Sequence, residues 1–114
     1  MAIKGIGVDI EDISRFRNTP FDQNKAFYRR LFTKSELDYC LTKSDPYQHL
    51  AVRFCAKEAF IKASNINFKR KIPNYQSIQV KMEGSKPYIK YKNKKHLLSL
   101  SHDNSKAVSL VIIQ

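Results

Sequence analysis

One stretch limits the fold of this chain more than any other: Pro46 to Ala63, PYQHLAVRFCAKEAFIKA. Asp45-Pro46 opens it in the way a helix starts, with proline preset for the first turn. On a helix, Leu50, Phe54 and Ile61 fall on one side and Val52, Ala56, Ala59 and Ala63 on another. A helix apolar round most of its circumference has to be covered on several sides, so a central, buried helix is expected. The same segment carries Arg53, Lys57, Glu58 and Lys62. Charges on a buried helix are costly unless they are paired or put to use. Glu58 and Lys62 stand four apart and share a face, and an ion pair between them is the simplest account of both.

The elements round this helix follow from local signals. Ile3 to Ile10 is short and β-branched and predicts a strand. Thr19-Pro20 predicts a helix start, with the helix running to about Leu31. Thr33-Lys34-Ser35-Glu36 is a capping-box pattern opening a second helix with Leu37 and Leu41. After the central helix, Ser77–Met82 alternates, Glu83 to Pro87 reads as a turn, and Tyr88–Tyr91, Leu97–His102 and Ala107–Ile113 read as strands, with Asp103-Asn104-Ser105 as the last tight turn. One early strand, a helical block and a late antiparallel meander predict an α+β domain, an antiparallel sheet packed against the long central helix and shorter helices. At 114 residues, one domain over 1–114 is expected. A chain this short buries only about two-thirds of its unfolded surface, which makes oligomerisation a plausible source of stability.

The formal net charge is +11, and it points to an anionic partner: nucleic acid, an acidic protein, a phosphorylated small molecule or an anionic surface. With 42% hydrophobic residues the chain has material for a core, which argues against disorder throughout. No run approaches the roughly 20 apolar residues of a membrane span, and the opening Met1-Ala2-Ile3-Lys4-Gly5 has no leader pattern. Cys40 and Cys55 form no metal pattern and are expected to be reduced.

Three groups of residues carry chemistry. Asp9-Ile10-Glu11 places two carboxylates on one face of a strand end, where they could hold a hard cation such as magnesium. Lys57-Glu58-Ala59-Phe60-Ile61-Lys62 puts a carboxylate and two ammonium groups on the central helix, and Ser99-Leu100-Ser101-His102-Asp103 puts a histidine at a strand end. Acidic groups with lysine and histidine suit reactions at a phosphate, with a metal bridging a diphosphate and cations neutralising the leaving group. By residue type alone a metal-dependent nuclease and a basic nucleic-acid-binding module stay open. Against the second, the lysines are scattered and no nucleic-acid-binding motif is present.

Ordered blocks narrow the choice. Gly5-Ile6-Gly7-Val8-Asp9-Ile10 resembles the opening motif of the holo-(acyl-carrier-protein) synthases, small phosphopantetheinyl transferases. Phe32 to Leu37 resembles their second block, Arg53 to Ala63 their central-helix signature, and Gly84 to Ile89 and Leu98 to Asp103 their late turn and strand. The blocks stand in family order over nearly the whole chain. The resemblance implies the phosphopantetheinyl transferase fold and transfer of 4′-phosphopantetheine from coenzyme A to a serine of an apo acyl carrier protein. It also implies Mg2+ as cofactor and a cytoplasmic place in fatty-acid and lipid biosynthesis. Asp9 and Glu58 would then be the magnesium ligands. Lys62 would contact the diphosphate and help the leaving group. Arg53, Lys57, Lys62, Ser101 and His102 would bind coenzyme A. The serine proton would go to a carboxylate or to water held by the metal. The small members are homotrimers with sites between protomers, so His102 would reach a neighbour's Asp9 and Glu58. Glu11 is more typical of the larger, two-lobed relatives, where it is a third metal ligand; its role in this chain is left open. Where small members carry a glycine-rich loop this chain has Ser64-Asn65-Ile66-Asn67-Phe68, whose backbone approaches a phosphate less freely.

The charge also fits such a partner, because carrier proteins are typically acidic and a basic patch gives on-rate and register. Ile13 and Phe16 are three apart and would face the core, turning Arg15 outward near the metal site, and the family has an arginine matching Arg15 at its carrier interface. Lys25 and Arg29, four apart, could line one helical face beside it.

Overall fold

The long apolar segment is the expected helix, Pro46–Ser64 (α4), and the rest of the molecule is laid round it. The computed structural model describes residues 2–64 and 73–114; the run Asn65 to Phe68, where the family has its glycine-rich loop, lies outside them. Five strands form one antiparallel sheet in the order β1-β5-β4-β3-β2: β1 Gly5–Asp12, β2 Gln79–Glu83, β3 Lys86–Tyr91, β4 Lys94–His102 and β5 Lys106–Ile113. Three short helices, α1 Ile13–Arg17, α2 Lys25–Leu31 and α3 Lys34–Leu41, complete the α+β arrangement.

Residues Leu50 to Lys57 of α4 are buried without a break, as a helix apolar on nearly all sides requires. Its two halves face different cores. Leu50, Ala51, Val52, Phe54 and Cys55 pack with Ile13, Phe16, Tyr28, Phe32 and Leu37 of the helical block. Ala56, Ala59, Phe60 and Ala63 pack with Ile78, Val80, Ile89 and Val111 on the sheet. The small residues of the second half let β1 lie against the helix backbone. A Cβ on Gly7 would collide with the carbonyl oxygen of Ala59 and come within 2.6 Å of the amide nitrogen of Ala63, and one on Gly5 would collide with the carbonyl oxygen of Ala63. Backbone cannot step aside as a side-chain tip can, so Gly7→Ala is expected to cost about 3 kcal/mol or more, the upper end for overpacking, read as a lowered urea midpoint. A midpoint equal to that of the unaltered protein would show that the strand can slide off the helix at no cost.

Two expectations shift. The first strand runs Gly5–Asp12 rather than Ile3–Ile10, so Glu11 sits in the sheet opposite Ala107. The helix expected from Thr19 to Leu31 is broken: Phe21–Gln23 is a single 3-10 turn and α2 starts at Lys25. Thr19 does not cap this segment, because its hydroxyl donates to the carbonyl of Arg15 and finishes α1, while its own carbonyl accepts from the hydroxyl of Tyr28. The capping box at Thr33 is formed in full, with the hydroxyl accepting from the Glu36 amide and the Glu36 carboxylate accepting from the Thr33 amide. No helix among the described residues is long and apolar enough to cross a membrane.

The outer sheet face is apolar and uncovered. Ile6, Val8 and Ile10 of β1 are 56–64% exposed, and across the ladder from them stand Ile112, Leu110 and Val108. Leu97 of β4 adds to the same face opposite Ile112.

Candidate active site

The alternation of β1 decides which carboxylates meet the helix. Gly5, Gly7, Asp9 and Glu11 point toward α4, while Ile6, Val8 and Ile10 point outward. Asp9 is thereby buried beside the last turns of α4. Its carbonyl accepts from the Cys55 thiol at 3.1 Å, a neutral donor because burial pushes that thiol up to about 12. Its Oδ1 accepts from Lys62 Nζ at 2.8 Å, and the same ammonium reaches the carbonyl of Val8 at 3.2 Å. Its Oδ2 is buried and has no hydrogen-bond partner. Glu58 lies close enough to both Lys62 and Glu11 to be felt electrostatically. The expected Glu58–Lys62 pair is not formed among the described residues: Lys62 turns to Asp9, and Glu58 Oε1 accepts from the hydroxyl of Tyr75 at 2.5 Å. The β1 strand packed across α4 brings a deeper carboxylate within reach of the lysine, which local spacing along the helix could not reveal.

Glu11 joins this group on the same face. Burial, then the neighbouring Asp9 carboxylate, with the charge of Glu58 adding, push its carboxyl up to about 8 against the lowering by Arg15. Three carboxylates gathered in a partly buried site, one with an orphaned oxygen, are what a divalent cation relieves. The donors are all oxygens, as magnesium prefers. Among the described residues no three acidic, histidine or cysteine side chains close into a cage. Magnesium does not require one, since one or two carboxylates completed by water and substrate phosphates suffice. Asp9 and Glu58 therefore fit the ion.

Arg53 and His102 belong to a second place. Arg53 is buried, donates to the carbonyl of His49 at 3.2 Å and lies 4.5 Å over the ring of Tyr39. With His49, Gln48, Ser85 and His102 it lines a cavity of about 260 Å³ at the edge of the sheet. His102 Nδ1 is 2.6 Å from Gln48 Nε2. Burial, followed by the charges of Arg53, Lys43 and His102, lowers the His49 imidazole below its usual range. The cavity thus gathers cationic and hydrogen-bonding groups suited to phosphate and nucleotide. Arg53 and Lys62 are nine residues apart on one helix, about 13 Å along its axis, so this cavity and the Asp9 group are distinct within one chain. Ser101 and His102, expected together, lie on opposite faces of β4: Ser101 pairs with outward Val108, His102 with inward Ala107.

Lys57 is a correction. It was expected to bind coenzyme A, yet its side chain is fully buried, with Nζ donating to Leu31 O at 2.7 Å, Glu36 Oε1 at 2.7 Å and Tyr75 O at 2.9 Å. All three donors of the ammonium are spent inside the core, and none remains for a diphosphate. Of the expected carrier-binding residues, Arg15 is exposed on α1, with Nη1 3.5 Å from Glu11 Oε1 and its guanidinium over the Phe54 ring, while Ile13 and Phe16 are buried as expected. Lys25 and Arg29 are exposed on α2. Sequence reasoning missed Tyr75, Glu36 and Cys55 as supports of the site. Glu36 was visible only as a cap, and Tyr75 follows Glu58 by 17 residues with no pattern linking them.

With this geometry in place, comparison identifies the class. The chain matches the family model of the 4′-phosphopantetheinyl transferase superfamily over residues 5–111. It is 37% identical over 117 residues to the holo-[acyl-carrier-protein] synthase of Chloroherpeton thalassium, covering 96% of each chain. Its structure resembles the holo-[acyl-carrier-protein] synthase of Neisseria meningitidis with a TM-score of 0.83 at 26% identity, covering 99% of both chains. It also resembles that of Bacillus anthracis in complex with CoA (3′,5′-ADP), with a TM-score of 0.78 at 28% identity, covering 96% of this chain and 95% of the other. The chain belongs to the 4′-phosphopantetheinyl transferase superfamily and has its α+β fold.

Proposed function

We propose that this chain, as one phosphopantetheinyl transferase domain, is a holo-(acyl-carrier-protein) synthase. It transfers 4′-phosphopantetheine from coenzyme A to a serine of an apo acyl carrier protein and releases adenosine 3′,5′-bisphosphate. The observation that carries this reading is the Asp9 carboxylate, one oxygen on Lys62 and the other buried without a partner, set in a chain that matches the superfamily over residues 5–111. The serine oxygen forms a bond to the phosphorus next to pantetheine, and the bond from that phosphorus to the bridging oxygen breaks. The proton leaves toward the carboxylates of the cluster. Lys62, exposed above Asp9, offsets charge on the departing phosphate. Asp9 and Glu58 would hold Mg2+, with Glu11 beside them, and the ion supplies further neutralisation of the diphosphate. Arg53 and His102, which line one cavity, take the phosphate and nucleotide end of coenzyme A, and Ser101, on the other face of β4, is not part of that cavity.

The separation of the two groups within one chain supports a homotrimer whose sites lie between protomers. The exposed row of Ile6, Val8 and Ile10 with Val108 and Leu110 is an apolar face of the kind that self-association covers. In such an assembly, as the family resemblance implies, one protomer's His102 would complete a neighbour's Asp9 and Glu58 group. A cytoplasmic setting suits the coenzyme A substrate.

Incubation with coenzyme A, Mg2+ and an apo carrier protein from the source organism should add the phosphopantetheinyl mass to the carrier. No mass gain on any carrier of that organism would overturn the reading. Arg15, Lys25 and Arg29 form the surface for the acidic carrier. Because Arg15 also touches Glu11, the neutral change Arg15→Gln and the distal change Lys25→Glu separate the two effects. Both should raise KM for the carrier severalfold and leave KM for coenzyme A unchanged, and added salt should weaken carrier binding. A rise in KM for coenzyme A alone would move this patch to the other substrate.

A further inference from the structure

Glu58 stands on the flank of α4, and what fixes its carboxylate comes from outside the helix. The hydroxyl of Tyr75 donates to Glu58 Oε1 at 2.5 Å. The tyrosine is itself held at several points. Its carbonyl accepts from Lys57 Nζ at 2.9 Å and from the Ile78 amide at 3.2 Å. Its ring packs on Phe54 with centroids 5.4 Å apart. The next residue, Gln76, donates through its side chain to the carbonyl of Arg29 on α2 and to that of Phe32 at 3.4 Å.

A glutamate on a helix flank samples many side-chain rotamers, and holding one is part of the cost of binding a cation. An ammonium in Tyr75's place would also hold the carboxylate but would repel the ion. Among the described residues, Lys62, whose charge Glu58 feels, is engaged by Asp9 instead. A phenol donates a hydrogen bond without adding positive charge. We infer that Tyr75 is a positioning residue for the metal site: its hydroxyl holds Glu58 Oε1 and leaves Oε2 to ligate the divalent cation that Asp9 and Glu58 share. This rests on the assignment of Asp9 and Glu58 as ligands made above. The buried ion pair of Lys57 and Glu36 thereby serves the site at one remove, by fixing the backbone turn that carries the tyrosine.

Tyr75→Phe tests this, because it deletes only the hydroxyl and keeps the ring on Phe54 and the carbonyl on Lys57. Mn2+ is titrated calorimetrically into the full chain without substrates, and the metal dependence of transfer is measured alongside. The dissociation constant for Mn2+ should rise about tenfold, the low end for loss of a group that orients a ligand. The half-activating metal concentration should rise by the same factor. Activity should return at saturating metal, with KM for the carrier and the thermal midpoint unchanged. In a Glu58→Ala background Tyr75→Phe should have no further effect on metal affinity. Equal Mn2+ affinity in the unaltered protein and Tyr75→Phe would overturn the inference while leaving phosphopantetheine transfer by the unaltered protein intact. An unaltered protein with neither Mn2+ binding nor transfer would overturn the functional reading itself, and this inference with it.

Discussion

Glu36→Ala is expected to destabilise the protein by about 3–5 kcal/mol, the cost of stranding one member of a buried ion pair. Glu36 is buried and its carboxylate makes three bonds: Oε1 accepts from the Thr33 amide at 2.8 Å and from Lys57 Nζ at 2.7 Å, and Oε2 accepts from the Val80 amide at 2.8 Å. One side chain thus caps α3, neutralises the lysine in the middle of α4 and satisfies the start of β2. Burial lowers the Lys57 ammonium below its usual range, and Glu36 is the charge that opposes this. Without it, Lys57 keeps two carbonyl acceptors but no counter-charge, and two backbone amides lose their acceptor. Since small domains have only about 5–15 kcal/mol in total, the variant should unfold at a much lower urea concentration, by about 2 M for a typical slope. Glu36→Ala combined with Lys57→Met should recover part of that loss, because no charge is then left unpaired. If the single variant lost less than about 1 kcal/mol, less than one net hydrogen bond, the pair would be no structural hinge between the helices and the sheet.

Asp9→Ala is expected to act in the opposite sense on stability and activity. Transfer should fall by about 100- to 1,000-fold in kcat, the scale for removing one electrostatic group from the reacting centre. Lys62 loses its partner, and the proposed metal site loses a ligand. The fold should survive, since the β1 ladder and the Cys55 contact use only the Asp9 backbone. The thermal midpoint should hold or rise, because a buried carboxylate oxygen without a partner and its repulsion of Glu11 are both removed. Asp9→Asn keeps the shape and should show the same loss of transfer, which places the effect on charge. Near-normal activity in either variant would show that Asp9 is not part of the reacting centre. Glu11→Gln is the companion: a small effect on transfer would keep Glu11 beside the metal ligands rather than among them.

Much of this was legible in the sequence, and the reason differs from part to part. The apolar circumference of Pro46–Ser64 specified a central helix because burial depends on which residue types recur along one element, and that is local information. The capping box at Thr33 was legible for the same reason, since its bonds span three residues. That Asp9 and Glu11 share a face follows from the period of a strand. The break between Thr19 and Lys25 was not legible, because the Thr19 hydroxyl closes α1 onto the Arg15 carbonyl and the Thr19 carbonyl takes the hydroxyl of Tyr28, whose position depends on how α1 meets α2.

The partners of the charges could be decided only in three dimensions. Spacing offered Glu58 to Lys62, but crossing β1 over α4 through Gly5 and Gly7 carries Asp9 to Lys62, and Glu58 is left to Tyr75 from beyond the helix. Lys57 and Lys62 have the same side chain and stand five residues apart, yet one is sealed in the core against Glu36 and the other is exposed over Asp9. On a helix five residues amount to more than a full turn, about 140° off the same face, and only packing tells which face is the inner one. Residue types, and for the most part the elements that carry them, are set locally along the chain. The tertiary structure chose which charges meet, because ion pairing depends on distances between elements that the chain leaves free until they pack.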